Sequence, residues 1–387
     1  MQRSSLRELA VLFLKLGTLS FGGPAAHIAL MEEEVVKRRR WLSHEYFLDL
    51  LGATNLIPGP NSSEMAIHIG FVRAGLPGLI VAGVCFISPA VIISLLLAHF
   101  YVRYGSIPQV GHFVWGIRSG VIAVILAALF RLAKPLVKNR FVAAVSIAVF
   151  VLNLCHVDEI ILLIVAGIVG LLWGIRDRIT HRTLPLFLAA ILPIAVGTAR
   201  TAGTGGTPPG PTIFSLGLFF LKIGSILYGS GYVLVAFLQG GLVDARHWLA
   251  QTQLLDAIAV GQFTPGPVLS TATFIGYIIL GVPGAAAATV GIFLPSFVFV
   301  LLTGRFVPRL RKLPASAGFL DGVNAASLGL MLSVCITLGA ATLSGFGSWI
   351  IFLVAAVVVV RWSFHAGWII GGAALAGWIF SMFGIVS

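Results

Sequence analysis

The chain has 387 residues, of which 58% are hydrophobic and only 10% charged, and its mean hydropathy is +1.03. Soluble domains carry about 25% charged residues, so these values exclude a soluble globular protein and indicate a polytopic membrane protein. The net charge of +12 would suggest a nucleic-acid partner in a soluble chain. Here most basic residues sit in short loops between apolar runs, where a membrane surface accounts for them and no nucleic acid is expected.

Taken in chain order, the first two apolar segments are interrupted. Segment 5–36 breaks at "FGGP" (Phe21–Pro24) and segment 45–75 at "PGP" (Pro58–Pro60). Two prolines and a glycine do not propagate a helix, so each segment is expected to enter from the cytoplasm, break and return. Arms of about 10–15 residues reach roughly 15–22 Å, half to two-thirds of a bilayer; arms that cross completely preserve the same parity. Crossing helices follow at 78–100, 110–133, 140–155, 158–175 and 184–200. A second set has hairpins at 212–240 and 254–280 and helices at 284–304, 316–342, 347–361 and 365–384. Lys15 interrupts the first apolar stretch and no cleavage site follows it, so the first helix is expected to stay in the protein.

The second set copies the first. Lys15 in "LKLG" falls on Lys222 in "LKIG", an offset of 207 (222 minus 15), which also pairs Trp41 with Trp248, Asp49 with Asp256 and Pro58 with Pro265. After a one-residue slip, "GFVRAGLPG" (Gly70–Gly78) meets "GYIILGVPG" (Gly276–Gly284). A register held this long is a duplication. It divides the chain into a first unit, 1–200, a linker, 201–212, and a second unit, 213–387. Loop charge then sets direction. Lys37-Arg38-Arg39-Arg40 has a weakly charged counterpart near "VDARHW", whereas the second unit's Arg305, Arg309, Arg311 and Lys312 answer only Arg103 in the first. Positive loops face the cytoplasm, so the two units are expected to be inverted, a transporter signature. The fold class is therefore an all-α polytopic membrane protein with an inverted-topology repeat and broken, re-entrant helical hairpins. Its N-terminus is expected inside and its C-terminus outside.

Broken backbone at membrane depth is tolerated where protein buries it or where it lines a watery cavity. Each break exposes the N–H groups of the next half-helix, whose start carries about half a positive charge. Asn61, Ser62 and Ser63 after the first PGP, and Ser270 and Thr271 after the second, can cap or donate. Gly59 and Gly266 let a ligand approach the main chain. Together with Gly22 and Gly23 of "FGGP" and Gly229 and Ser230 of "YGSG", they form a candidate anion site between the units. Simple kinking by Pro and Gly is the plainer alternative. Lys15 and Lys222, symmetry mates about seven residues before a break, suit a doubly charged anion or else snorkel to the interface.

Four more ionisable residues are candidates for coupling or ion pairing. Arg118 snorkels or pairs with Asp321. Asp49 and Asp256 pair with the lysines, carry protons, or sit at the hairpin mouths. Glu64 stabilises the helix dipole or couples proton or cation movement. Glu32-Glu33-Glu34 reads as a solvated charged face, and Trp41 and Trp248 as interface anchors. His27, His68 and His99 share no metal-ligand spacing, so no metal and no cofactor is expected. Cys85, Cys155 and Cys335 read as packing residues. No nucleophile–base pair argues for an enzyme.

"SFGGPAAHIALMEEEVV", "RRRWLSHEYF" and "NLIPGPNSSEMAIHIG" resemble the chromate ion transporter family, in its long two-domain bacterial form. The resemblance covers nearly the whole chain, although "YGSG" replaces "FGGP" in the second unit and no asparagine there matches Asn61. It implies a bacterial inner-membrane protein that exports chromate and confers resistance to it; the two inverted units suggest that they do so by alternating access, rocking around the site at the breaks. Sulfate or another oxyanion as substrate, or a passive anion channel, are the alternatives. A homo-oligomer is left open.

Overall fold

The computed structural model describes residues 5–21, 23–55, 57–105, 107–136, 139–174, 210–228, 231–303, 314–362, 364 and 366–383. The expected crossing at 184–200, most of the linker, the basic loop around Arg305–Lys312, and Gly22, Gly229 and Ser230 lie outside the described residues.

The first unit runs α1 (Leu6–Leu19), α2 (Pro24–Glu32), a π-helical turn (Glu33–Arg38), α3 (His44–Thr54), α4 (Asn61–Tyr104), α5 (Pro108–Leu136), α6 (Arg140–Leu154) and α7 (Glu159–Gly174). The second runs α8 (Ile213–Ile226), a 3₁₀ turn (Gly231–Val233), α9 (Leu234–Leu238), a second π-helical turn (Gln239–Asp244) and α10 (Gln251–Phe263). A 3₁₀ turn (Val268–Ser270), α11 (Thr271–Thr303), α12 (Pro314–Thr342), α13 (Phe346–Trp362) and α14 (Ala366–Met382) complete it. The described residues contain no strand. The duplication extends even to the paired π-helical turns.

Short polar residues set several helix starts. Ser5 and Ser43 accept from the backbone N–H groups of Glu8 and Tyr46, and Thr212 with Ser215 forms a reciprocal capping box. Neither α4 nor α11 is one straight rod. Ala74-Gly75 and Leu280-Gly281 leave helical geometry, each glycine at φ +64°. A Cβ added to Gly70 would collide with the Gly78 carbonyl oxygen, and one on Gly276 with that of Gly284. Residues eight apart touch only if the chain reverses, so each helix is a tight hairpin whose two arms are sealed by glycine. The Thr273 and Thr289 hydroxyls hydrogen-bond across the second hairpin at 2.8 Å.

The apolar pattern of the first helix in each unit then finds its partner. On α1, Leu9, Leu12, Phe13 and Leu16 are buried against the second arm of α4, with Gly17 pressed on the Phe86 carbonyl. On α8, Leu216, Phe219, Phe220 and Ile223 do the same against α11, with Gly224 on the Ile292 carbonyl.

The direction of the units follows from packing. Helices α5, α6 and α7 are joined by short connections and so alternate in direction, which makes α7 run with α5; likewise α14 runs with α12. Gly116 meets Gly377 while Gly120 meets Ala373, so α5 and α14 are antiparallel. Gly170 meets Gly318 while Gly167 meets Val323, so α7 and α12 are antiparallel as well. Each helix therefore opposes its own counterpart, and the repeat is inverted. The units are also interlocked, because α13 and α14 pack on α5 whereas α6 and α7 pack on α12.

Among the described residues four stretches, Asn61–Tyr104, Val110–Lys134, Val268–Thr303 and Ala317–Thr342, are long and apolar enough to cross a membrane. Helices α6 and α7, expected as full crossings, have 15 and 16 residues. That is about 22–24 Å of helix, shorter than the ~30 Å hydrocarbon layer.

Candidate functional site

The PGP break of each unit rests on the first break of the other. Gly266 N–H donates to the Ser20 carbonyl at 2.8 Å, and Gly59 N–H donates to the Leu227 carbonyl at 2.6 Å. Ser20 and Leu227 are counterparts, as are Gly59 and Gly266, so the two bonds are related by the pseudo-twofold axis. The breaks thus converge, as the spacing predicts, but these two glycine amides are already engaged. Both glycines have positive φ, +146° at Gly59 and +89° at Gly266, as does Gly23 at +83°. Only glycine holds such geometry cheaply. A Cβ at Gly266 would meet Ala90 at 3.1 Å and the Gly17 carbonyl at 3.2 Å.

The helix starts beyond both PGP elements have no side-chain cap. Ser62, Ser63, Ser270 and Thr271 are all buried there. The Ser63 and Ser270 hydroxyls, symmetry mates, have no hydrogen-bond partner among the described residues, and neither does Ser20. Asn61 instead turns back, donating to Asn55 Oδ1 at 2.7 Å, while the Thr271 hydroxyl bonds to the Val268 carbonyl at 2.8 Å.

One junction opens into a cavity of about 830 Å³. Its wall includes Ser20 and Gly23 of the first break, Thr264 and Gly266 of the second unit's break, and Arg131 of α5. Arg131 is exposed, and its guanidinium reaches the Val359 carbonyl at 3.4 Å. Sequence reasoning missed this residue because "RLAKPLVKNR" reads as a basic loop. The usable signal was that Arg131 heads that run while still on the helix.

The lysines lie outside the cavity wall. Lys15 donates to Glu34 Oε1 at 2.9 Å. Arg38 and Arg39 reach the same carboxylate at 3.3 and 3.5 Å, and its side chain is only 10% exposed. The expected solvated face of three glutamates is therefore corrected at Glu34, which is the acid of a cationic cluster. Lys222 is exposed on α8; Gly241 stands where Glu34 has its counterpart, and no ion pair involves Lys222 among the described residues. Trp41 lies between two guanidinium groups, with Arg39 and Arg73 at 5.2 and 5.1 Å from its ring.

Arg118 pairs with Asp256 rather than Asp321. Its Nε and Nη2 donate to Oδ1 and Oδ2, both at 2.8 Å, and the Tyr101 hydroxyl donates to Oδ2 at 2.7 Å. This bidentate triad ties α4 and α5 of the first unit to α10 of the second. Asp49, the counterpart of Asp256, is half-buried near Tyr46. Glu64 is fully buried, with its carboxylate against Gly59 and Ser296.

Known proteins supply the remaining evidence. The chromate transporter family model matches residues 7–171 and 214–378, the two repeated units. The chain is 33% identical to a chromate transport protein of Cupriavidus metallidurans over 96% of its own length and 92% of the relative's. It is 31% identical to a chromate transport protein of Pseudomonas aeruginosa, covering 95% and 92%. A probable chromate transport protein of Synechococcus elongatus is 30% identical, covering 91% and 89%. No solved structure matches the chain. Two inverted units with convergent broken hairpins, matched by the family model in both copies, place this chain in the chromate transporter family.

Proposed function

We propose that this protein exports chromate across the bacterial inner membrane by alternating access and so confers resistance to it. The observation that carries the reading is the reciprocal seating of the two PGP breaks beside a cavity with Arg131 in its wall. Half-helix starts offer backbone donors to an oxyanion without requiring a full counter-charge. On this reading Gly23, Gly266, Ser270 and Thr271 contribute from one side, with Arg131 at the entrance. Gly59, Asn61, Ser62 and Ser63 form the opposite side. With the N-terminus cytoplasmic and the C-terminus periplasmic, Arg131 lies toward the cytoplasmic end of α5 and the cavity is the inward mouth.

Energetics agree with export. A charge moved across 100 mV is worth about 2.3 kcal/mol, so a dianion leaving a negative interior gains roughly 4–5 kcal/mol. Labelled chromate should accumulate in everted vesicles that contain the protein and saturate with concentration. Linear, non-saturating flux would favour a passive channel, and no flux in either direction would refute the reading. Unlabelled sulfate, a tetrahedral dianion of similar shape, tests the substrate range by competition.

Two predictions follow from the charges. Arg131→Ala is expected to raise the half-saturating chromate concentration about tenfold or more, since a charge-assisted hydrogen bond contributes roughly 1.5–3 kcal/mol. Lys15→Ala and Lys222→Ala should impair export at unchanged abundance by about threefold to tenfold, as loss of steering charges does. Lys222 should matter more, because Glu34 already neutralises Lys15. Initial rates at two ionic strengths check this, and parent-like rates in both variants would remove the lysines from the mechanism.

A further inference from the structure

The duplication provides an internal comparison at the two PGP junctions. In the first unit, Glu64, His68 and His27 are all buried. At the 207 offset their counterparts in the second unit are Thr271, Ile275 and Leu234, and at the 206 offset that holds from Gly70 onward the first two become Ser270 and Phe274; none of these titrates. Neither ring nitrogen of His68 has a hydrogen-bond partner among the described residues, while the Glu64 carboxyl lies beside the Ser296 hydroxyl and the His27 ring beside the Ser20 backbone. Of these three buried ionisable positions the second unit therefore keeps none.

Glu64 has the most direct connection to the junction. A Cβ on Gly59 would collide with Glu64 Oε1 and fall 2.6 Å from Ser296 Oγ. The carboxyl group thus lies over the glycine whose N–H binds the second unit at Leu227. The groups facing it are the Ser296 hydroxyl of α11 and Tyr228, just beyond α8, which lies within electrostatic range. On its own helix, His68 is one turn further on. No lysine or arginine is ion-paired with Glu64 among the described residues.

A buried carboxylate with no cation nearby is costly to keep ionised. Two kinds of ligand relieve that cost. Metal cations such as calcium require six or more oxygen ligands, and no group of three His, Cys, Asp or Glu gathers among the described residues. A proton needs only the one carboxylate.

We propose that Glu64 is a proton-binding site that couples the transporter to the pH gradient. The carboxylate takes a proton from water on one side of the membrane, and the carboxylic acid releases it on the other; no other bond changes. Its place against both units makes its charge sensitive to how the Gly59–Leu227 junction is seated. Proton entry in exchange for dianion exit would add one more charge moving down the membrane potential. This inference rests on the transport reading above.

The test uses purified protein in liposomes at clamped potential. For one coupled proton, the chromate gradient sustained by the parent should change about tenfold per pH unit of imposed gradient. An enclosed pH dye should report proton movement with chromate. Glu64→Gln should abolish the pH-gradient response and the proton flux per chromate moved, while His68→Gln should retain both. A Glu64→Gln protein that keeps the tenfold response overturns the proposal. Infrared pH titration needs no transport: a carboxylic-acid carbonyl band should titrate in the parent and be missing from Glu64→Gln. An unchanged band in the variant also overturns it. Absence of chromate flux in the parent would refute the transport reading alone, leaving the infrared result to decide the proton site.

Discussion

Arg118→Ala protein is expected to lose about 3–5 kcal/mol of stability, the usual cost of removing one partner from a buried ion pair. Asp256 is 4% exposed and would keep only the Tyr101 hydroxyl. The loss should appear as a fall of several degrees in the melting midpoint in detergent. Replacing both partners, Arg118→Met with Asp256→Leu, should recover most of it, because no orphaned charge remains. A double variant as unstable as the single one would show that the ion pair is not the cause.

Transport then separates structure from gating. Arg118 and Arg131 are thirteen residues apart on α5, or about 20 Å along the helix. The triad thus sits near the middle of α5, and the cavity wall begins at Val124, about 9 Å further along the helix, and reaches Arg131 near its end. If the triad seals the far face, the double variant should leak chromate despite its recovered stability. A flux equal to the parent's would leave the triad a purely structural tie.

Gly266→Val should reduce chromate transport by about a hundredfold or more, the cost that a shift of about 1 Å at a positioned site can exact. The residue has φ +89° and is closely packed by Ala90 and Gly17, so a branched side chain must displace the break from Ser20. Gly59→Val faces the same problem against Glu64 and Ser296. Gly75→Ala is the control. Its φ of +64° is also positive, but nothing lies within 4 Å of its added Cβ, so the cost should be backbone strain alone, about 1–3 kcal/mol, and transport should survive. Equal loss in all three would mean that the effect is backbone strain and not occupation of the junction.

Much of the architecture was legible in the residues. The 207-residue offset, the two PGP elements and the exchange of basic loops all depend on local chemistry, which a sequence records directly. Gly70 and Gly78, with Gly276 and Gly284, even mark the glycine-sealed turns. Side-chain partnerships were less legible. Arg118 and Asp256 are 138 positions apart and meet only because α5 of one unit packs on α10 of the other. Glu34 escaped because three consecutive acids read as a wet surface, while the π-helical turn directs the third toward Lys15. Arg131 was hidden by its basic neighbours, since charge alone does not tell a helix-borne cation from a loop.

The reciprocal bonds at Gly59 and Gly266 bear on how such a protein could have arisen. Either unit alone would carry one unmatched amide and one unmatched carbonyl into the apolar layer, where each costs several kcal/mol. A lone ancestor would have been stable only as a pair lying head to tail, with both orientations made from one gene. Fusing two copies fixes that stoichiometry, and it also frees each copy to diverge, as the replacement of Glu64 by Thr271 illustrates.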